Sequence, residues 1–296
     1  MTPPAAAAPS KPPSFAVGVR ILRLVDTSRT IRLPGGRTEA RPLETYVRYP
    51  APGPPRGGDL LDAPAAAGPF PLVVFGHGFA VTPRLYGHLL DSWVRAGYVV
   101  AAPVFPLANA NAPGGPDESD LVNQPTDMSF VISSLIAASS TPGGGLSRLI
   151  DPSRIAVAGQ SDGGVTALAT AFSRRYRDPR VDAAVVMAGS EMSGVGGYGF
   201  HRGEPALLAI QGTADTINEP RFTYQFFKAA RQPKFLLRLL GAEHLPPYTR
   251  EEPQLSLVER VTIAFLDGYL KKMRGSLHRL VGLGDVPGRA AFAADP

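Results

Sequence analysis

The chain has 296 residues, 44% of them hydrophobic, which is enough for one large α/β domain with an extensive core. Its formal net charge is +5 at pH 7, but the basic residues are scattered singly along the chain, which argues against a nucleic-acid-binding surface. It has no cysteine, which excludes disulfides, thiolate nucleophiles and thiolate metal sites.

The first segment, residues 1–14, is rich in alanine and proline and is predicted to be a disordered arm. It lacks the apolar region of a signal peptide, and no 18-residue apolar span follows, so we expect a soluble protein without a transmembrane segment. The compartment stays open: secreted if a signal peptide was removed before Met1, cytoplasmic otherwise. A single domain is predicted over residues 15–275, followed by a C-terminal tail over residues 276–296.

The domain opens with two segments of strand composition, residues 17–25 and 44–49, which predict an antiparallel hairpin. The proline- and glycine-rich residues 50–71 are then predicted to be a surface loop. From there on, short apolar runs alternate with helical periodicity, which is typical of a mostly parallel sheet with helices on both faces. The predicted strands are 72–75, 98–102, 155–158, 183–188, 206–210 and 235–240. The predicted helices are 85–94, 128–136, 165–172, 222–230 and 255–270.

A nucleophile elbow is predicted at Ser161. The fifth predicted strand leads into Gly159-Gln160-Ser161-Asp162-Gly163, a G-x-S-x-G motif that runs directly into a helical pattern. Such a junction strains the serine backbone and lifts its hydroxyl above the sheet, and glycine two residues to either side leaves room for the bend. Because the chain has 32 glycines, the five residues alone could match by chance, and the flanking strand and helix give the motif its weight.

A serine nucleophile needs a histidine to accept its proton and a carboxylate to orient that histidine. Chemistry in a parallel α/β sheet gathers outside the carboxyl ends of the strands, so both partners are sought directly after a strand. Among the five histidines, His244 follows the last predicted strand, and Asp215 follows the strand before it. The chain order Ser161, Asp215, His244 is the order of the α/β-hydrolase fold. Glu191, after the strand 183–188, is the rival acid.

Two backbone amides are expected to hold the oxygen that becomes negative during acyl transfer. One is the amide of Asp162, directly after the nucleophile. The other is the amide of Phe79, in the Gly76-His77-Gly78-Phe79 turn that follows the strand 72–75. His77 is expected to brace this turn and not to transfer protons. The G-x-G-x-x-G match at 194–199 opens no helix, so no dinucleotide site is expected there.

From about residue 17 to residue 270, the chain resembles the serine esterases of the α/β-hydrolase superfamily related to cutinase-type polyester hydrolases, dienelactone hydrolases and platelet-activating factor acetylhydrolases. The matching residues are 41–43, 49–50, 69–79, 159–164, 212–215 and 243–244. The resemblance implies hydrolysis of carboxylic esters through an acyl-serine intermediate, with neither a metal nor an organic cofactor. Ser161 stands where the dienelactone type has a cysteine. The disulfide cysteines of the cutinase type, and the tryptophan that polyester hydrolases often carry near residue 190, are absent.

The leading hypothesis is therefore a carboxylesterase, with lipase or polyester hydrolase as finer variants acting on small-molecule or polymeric esters. One alternative is a phospholipid acyl hydrolase of the platelet-activating factor acetylhydrolase type. Another is a non-catalytic pseudo-hydrolase that binds a ligand in the same pocket, while peptidases and acyltransferases share the same machinery. Specificity is expected to lie in the glycine-rich segments 103–125 and 189–204. The oligomeric state is left open.

Overall fold

The computed structural model describes residues 14–55, 58–201 and 203–296. Within them, the chain forms ten strands and six α-helices. The strands are β1 (Ala16–Arg32), β2 (Thr38–Ala51), β3 (Leu60–Leu61), β4 (Phe70–Gly76), β5 (Val99–Pro103), β6 (Ile150–Gln160), β7 (Val181–Met187), β8 (Ala206–Gly212), β9 (Lys234–Leu239) and β10 (Ala290–Asp295). The helices are α1 (Gly87–Arg95), α2 (Gln124–Ser140), α3 (Asp162–Phe172), α4 (Pro220–Ala229), α5 (Gln254–Tyr269) and α6 (Arg274–Gly284).

All ten strands belong to one sheet, in the order β10-β9-β8-β7-β6-β4-β5-β2-β1-β3. Its centre, from β5 through β4 and β6 to β9, is parallel. These central strands are apolar and almost wholly buried because helices cover both of their faces. One core packs under α1, α5 and α6, and the other under α2, α3 and α4. The predicted architecture, a mostly parallel sheet with helices on both faces, is confirmed.

The predicted hairpin is present but longer than its composition indicates. β1 pairs antiparallel with β2 from Ala16 opposite Ala51 to Arg32 opposite Thr38, with an irregularity between Asp26 and Thr30. The polar C-terminal part of β1 is a strand because it pairs with β2. Strand propensity, which depends on the residue types alone, does not include this contact. β2 also pairs antiparallel with β5, which joins the hairpin to the parallel centre.

The residues after 275 form structure continuous with the sheet. Most of α6 lies there, and β10 pairs antiparallel with β9 at the edge of the sheet. The division into a domain and a tail at residue 275 stays a prediction, and so does the disordered arm, since residues 1–13 lie outside the described residues. Among the described residues, no helix has the length and apolar character needed to cross a bilayer.

Candidate active site

Ser161 occupies a strained turn between β6 and α3. Its backbone has φ 57° and ψ −124°, a conformation that residues with a side chain rarely adopt. A Cβ at Gly159 would overlap the backbone of Gly163, and a Cβ at Gly163 would overlap the carbonyl oxygen of Gly76. Both motif glycines are therefore required by the close approach of three backbone segments, and that approach holds the serine at the carboxyl end of the sheet.

His244 lies after β9 and faces Ser161. Its Nε2 is 2.9 Å from the Ser161 Oγ, and its Nδ1 is 2.8 Å from Oδ2 of Asp215. With Nδ1–H donating to the carboxylate, Nε2 is left as the acceptor for the serine proton. The structure thus brings together the three side chains predicted to act on the substrate bond.

Asp215 is buried, and its two carboxylate oxygens are fully engaged. Oδ1 accepts the backbone N–H groups of Ile217 and Asn218, each at 2.9 Å, while Oδ2 accepts the Gln211 side-chain amide at 3.1 Å in addition to His244. Burial raises the pKa of this carboxyl, but the hydrogen bond and charge of His244 and the two backbone donors outweigh it and hold the pKa below its usual value. Asp215 is therefore ionised at neutral pH.

Glu191, the rival acid, does not contact His244. It lies exposed in the segment after β7, where its carboxylate accepts the N–H of Gly197 at 3.3 Å. Of the two acids, Asp215 is the one that contacts the His244 ring.

The two residues predicted to supply oxyanion amides come from two segments of the chain, the turn after β4 and the start of α3. Phe79 and Asp162 both line the same cleft as Ser161. Asp162 is the first residue of α3, so its N–H has no acceptor within the helix. A Cβ at Gly78 would lie 3.3 Å from the Ser161 Cβ, so glycine there lets the turn that carries Phe79 approach the nucleophile closely.

His77 holds this turn from beneath. It is fully buried, with Nδ1 2.7 Å from the carbonyl oxygen of Gly78 and Nε2 accepting the N–H of Phe105 at 3.1 Å. Burial lowers the pKa of His77 to about 4, against a smaller opposing effect of the Gly78 carbonyl. The ring is therefore neutral at physiological pH and connects the loops after β4 and β5, as expected of a brace.

Sequence reasoning missed a second connection, through Gln160 and Tyr86. The Gln160 side-chain amide donates to the His244 carbonyl oxygen at 2.9 Å, and the Tyr86 hydroxyl donates to Gln160 Oε1 at 2.7 Å. The same hydroxyl accepts the N–H of Gly78 at 3.2 Å. This chain of hydrogen bonds links the histidine loop to the loop of Phe79. The one sequence signal for it is the position of Gln160 inside the serine motif.

Ser161 opens onto a cleft of about 610 Å³. Apolar walls come from Phe79, Met192, Ile217, Leu245 and Pro246, and acidic side chains from Glu118, Asp162 and Glu243. No lysine or arginine of the described residues lines the cleft. The two segments predicted to carry specificity each reach the lining, one through Glu118 and the other through Met192. Within the part of the chain that the structure describes, no group of three or more His, Asp or Glu side chains could hold a metal ion.

Three comparisons with known proteins bear on this arrangement. The chlorophyllase family matches residues 35–211, a span that includes the serine motif. No curated protein matches the chain. Among solved structures, the ferulic acid esterase from Streptomyces cinnamoneus, determined at 2.4 Å resolution, has a TM-score of 0.66 and 22% sequence identity, covering 95% of this chain and 96% of that one. At this identity, the likeness shows a common fold across nearly the whole of both chains.

Proposed function

The chain belongs to the chlorophyllase family and is a carboxylic ester hydrolase of the α/β-hydrolase fold; from this premise we propose that Ser161, His244 and Asp215 are its catalytic triad. The predicted superfamily and the hydrolysis of carboxylic esters are confirmed, while the family is one that the sequence resemblance did not name. The observation that carries the proposal is the pair of contacts at His244, 2.9 Å to the serine oxygen and 2.8 Å to the aspartate.

In the proposed mechanism, Ser161 Oγ attacks the ester carbonyl carbon while His244 Nε2 takes its proton. Asp215 keeps the other ring nitrogen protonated and stabilises the imidazolium that forms. The amides of Phe79 and Asp162 donate to the oxygen of the tetrahedral intermediate. His244 then returns the proton to the departing alcohol, which leaves the acyl-serine. Water, deprotonated by His244, attacks the acyl-serine and releases the carboxylic acid and the free serine.

The charge of the cleft distinguishes between the alternative substrates. A phospholipid acyl hydrolase would place a phosphate near the scissile ester, and this cleft offers it three carboxylates and, among the described residues, neither arginine nor lysine. The acidic lining therefore disfavours the phospholipid alternative. The hydrogen-bonded serine and histidine disfavour the pseudo-hydrolase. Lipase, cutinase-type and polyester activity stay predictions.

The decisive variant for the triad is Ser161→Ala, assayed on p-nitrophenyl esters from acetate to octanoate. Removing the nucleophile is expected to lower kcat by about 10⁴-fold or more, because the remaining groups cannot form the acyl-serine. An organophosphonate should label the wild-type protein at Ser161 alone. The control is Ser133→Ala, at an exposed position on α2, which should keep full activity. Equal turnover in the two variants would contradict the proposal.

A further inference from the structure

Asp162 carries a carboxylate that the fold itself leaves without a partner. Its side chain lines the cleft beside Ser161, yet the residue is only 5% exposed. The carboxylate oxygen Oδ2 is buried and has no hydrogen-bond partner among the described residues. A buried carboxylate without a donor destabilises a folded protein, so contacts within the fold do not account for an aspartate here.

The surroundings of Asp162 add negative charge to this site. Burial and the charge of Glu118 raise the pKa of Asp162 to about 6, while His244 acts in the opposite direction. The carboxyl is therefore largely ionised at neutral pH. Glu243 lines the same cleft, and no cation among the described lining residues balances the three carboxylates. Among the described residues, the site offers the Asp162 carboxylate neither a hydrogen-bond donor nor a positive charge.

A protonated amine supplies both missing elements. A neutral hydroxyl would supply the donor without the charge, and a quaternary ammonium would supply the charge without the donor. The methyl and methylene groups of an alkylamine would also pack against the apolar side chains of Phe79 and Met192, which lie on the same cleft. An alkylammonium group therefore matches the cleft in charge, in hydrogen bonding and in apolar surface.

We propose that the preferred substrates of this enzyme are esters that carry a protonated amino group close to the scissile bond, held by the carboxylate of Asp162. This inference rests on the proposed function, because Asp162 is adjacent to the nucleophile and the group it holds must lie beside the ester. It makes Asp162 a specificity-determining residue through its side chain and an oxyanion donor through its backbone.

Three acetate esters that differ at a single position test the proposal. In 2-(dimethylamino)ethyl acetate the terminal group is a protonated amine, in acetylcholine it is a quaternary ammonium, and in 3,3-dimethylbutyl acetate it is a neutral tert-butyl group. Hydrolysis is followed by pH-stat near neutral pH. The wild-type protein is expected to prefer the amine over the neutral ester by about tenfold or more in kcat/KM, the effect of one hydrogen bond to a charged group, with acetylcholine between them.

The variant Asp162→Asn should reduce this preference to near unity. The matched control is Asp285→Asn, the same chemical change at an exposed aspartate after α6, which should keep the wild-type preference. Glu118→Gln should weaken the preference by a smaller factor. Inhibition of the wild-type protein by small amines tests the same preference without a variant. Protonated trimethylamine should compete with the neutral ester, and tert-butanol should not.

The outcomes separate the two proposals. If 3,3-dimethylbutyl acetate is hydrolysed as well as the amine ester, or if Asp162→Asn keeps the preference, the inference about substrate class is wrong while the esterase mechanism stands. If none of the three esters is hydrolysed while p-nitrophenyl esters are, the inference about substrate class is again wrong. If p-nitrophenyl esters are not hydrolysed either, or if hydrolysis persists in Ser161→Ala, the proposed triad itself fails.

Discussion

At the scale of single residues, the backbone and the side chain of Asp162 affect the proposed reaction in opposite ways. Its backbone amide is proposed to stabilise the negative oxygen of the intermediate, while its carboxylate repels negative charge at the same place. A cation on the substrate would cancel that repulsion, because it would neutralise the carboxylate when the ester is in position. Recognition of the substrate and stabilisation of the transition state would then depend on the same side chain.

The unpartnered carboxylate leads to a prediction about stability. Asp162→Asn is expected to raise the free energy of unfolding at pH 8 by about 2 to 3 kcal/mol. The reason is that the pKa is raised from 3.8 to about 6 in the folded protein, so ionisation above that pH opposes folding. The nearby titratable groups are Glu118, His244 and Tyr86.

Urea denaturation at several pH values measures this effect. The gain should be fully present above the folded-state pKa of about 6, should shrink as the pH falls through that value, and should vanish below the ordinary value of 3.8, where the carboxyl is protonated in both states. Asp285→Asn should show no such dependence. A variant no more stable than the wild-type protein at pH 8 would show that the carboxylate has a stabilising partner.

The positions of the site residues were predictable to different degrees. Ser161 carries a local motif, and Asp215 and His244 follow successive strands, so the rule that parallel strands end at the same edge places them together. Gln160 and Tyr86 carry no comparable signal. Their contacts join segments 74 and 84 residues apart in the chain, and their geometry depends on how the loops pack.

At the scale of elements, a buried cluster of charges joins the hairpin to the wall of the cleft. Arg41 on β2 donates to Asp120 and Asp127 at distances between 2.6 and 2.9 Å, and Arg29 on β1 donates to Asp127 at 2.7 Å. Burial lowers the pKa of Arg41, but the hydrogen bonds that Arg41 donates to Asp127 and Asp120 raise it above its usual value. Asp120 belongs to the same short 3-10 turn as Glu118, so the cluster fixes the segment that brings Glu118 to the cleft.

Removal of the Arg41 guanidinium, the central cation of this cluster, is expected to destabilise the folded protein strongly. Arg41→Met leaves two buried aspartates without their main partner, and we expect the free energy of unfolding to fall by about 3 to 5 kcal/mol in urea denaturation. Arg221→Met, which removes an exposed ion pair with Glu219, is the control and should change it by less than about 1 kcal/mol. Similar losses in the two variants would mean that the buried cluster is no stronger than a surface pair.

The predicted elements agree with the structure where the apolar pattern of the sequence is strong. The strands that the prediction misses are those that exist because a neighbouring strand pairs with them. Each central strand was predicted from a short apolar run. β10 has the sequence Ala-Ala-Phe-Ala-Ala-Asp, which has little strand propensity, and it is a strand because β9 offers it an open ladder. The two-residue β3 gives no periodic signal at all.

At the scale of the whole molecule, β10 determines what the sheet presents at one of its edges. Without β10, the apolar strand β9 would present its unpaired backbone groups to solvent. Phe292 on β10 also stacks on Phe235 of β9, with ring centroids 6.1 Å apart. The strand therefore contributes both backbone pairing and apolar contact.

Deleting residues 286–296 should lower the melting temperature and cause self-association, because an exposed edge of this composition pairs with other chains. Light scattering after size-exclusion chromatography measures the association. The control Phe292→Ala keeps the backbone of β10 and should lower the melting temperature without self-association. A truncated protein that remains monomeric would show that β9 does not require β10 to prevent self-association.

The carboxylates of the cleft interact with the reaction product as well as with the substrate. Each turnover of an ester hydrolase produces a carboxylic acid, which is an anion at neutral pH. Glu118, Asp162 and Glu243 repel that anion from the place where it forms. We therefore expect the protein's own charge to assist product dissociation and to keep inhibition by the accumulating acid weak.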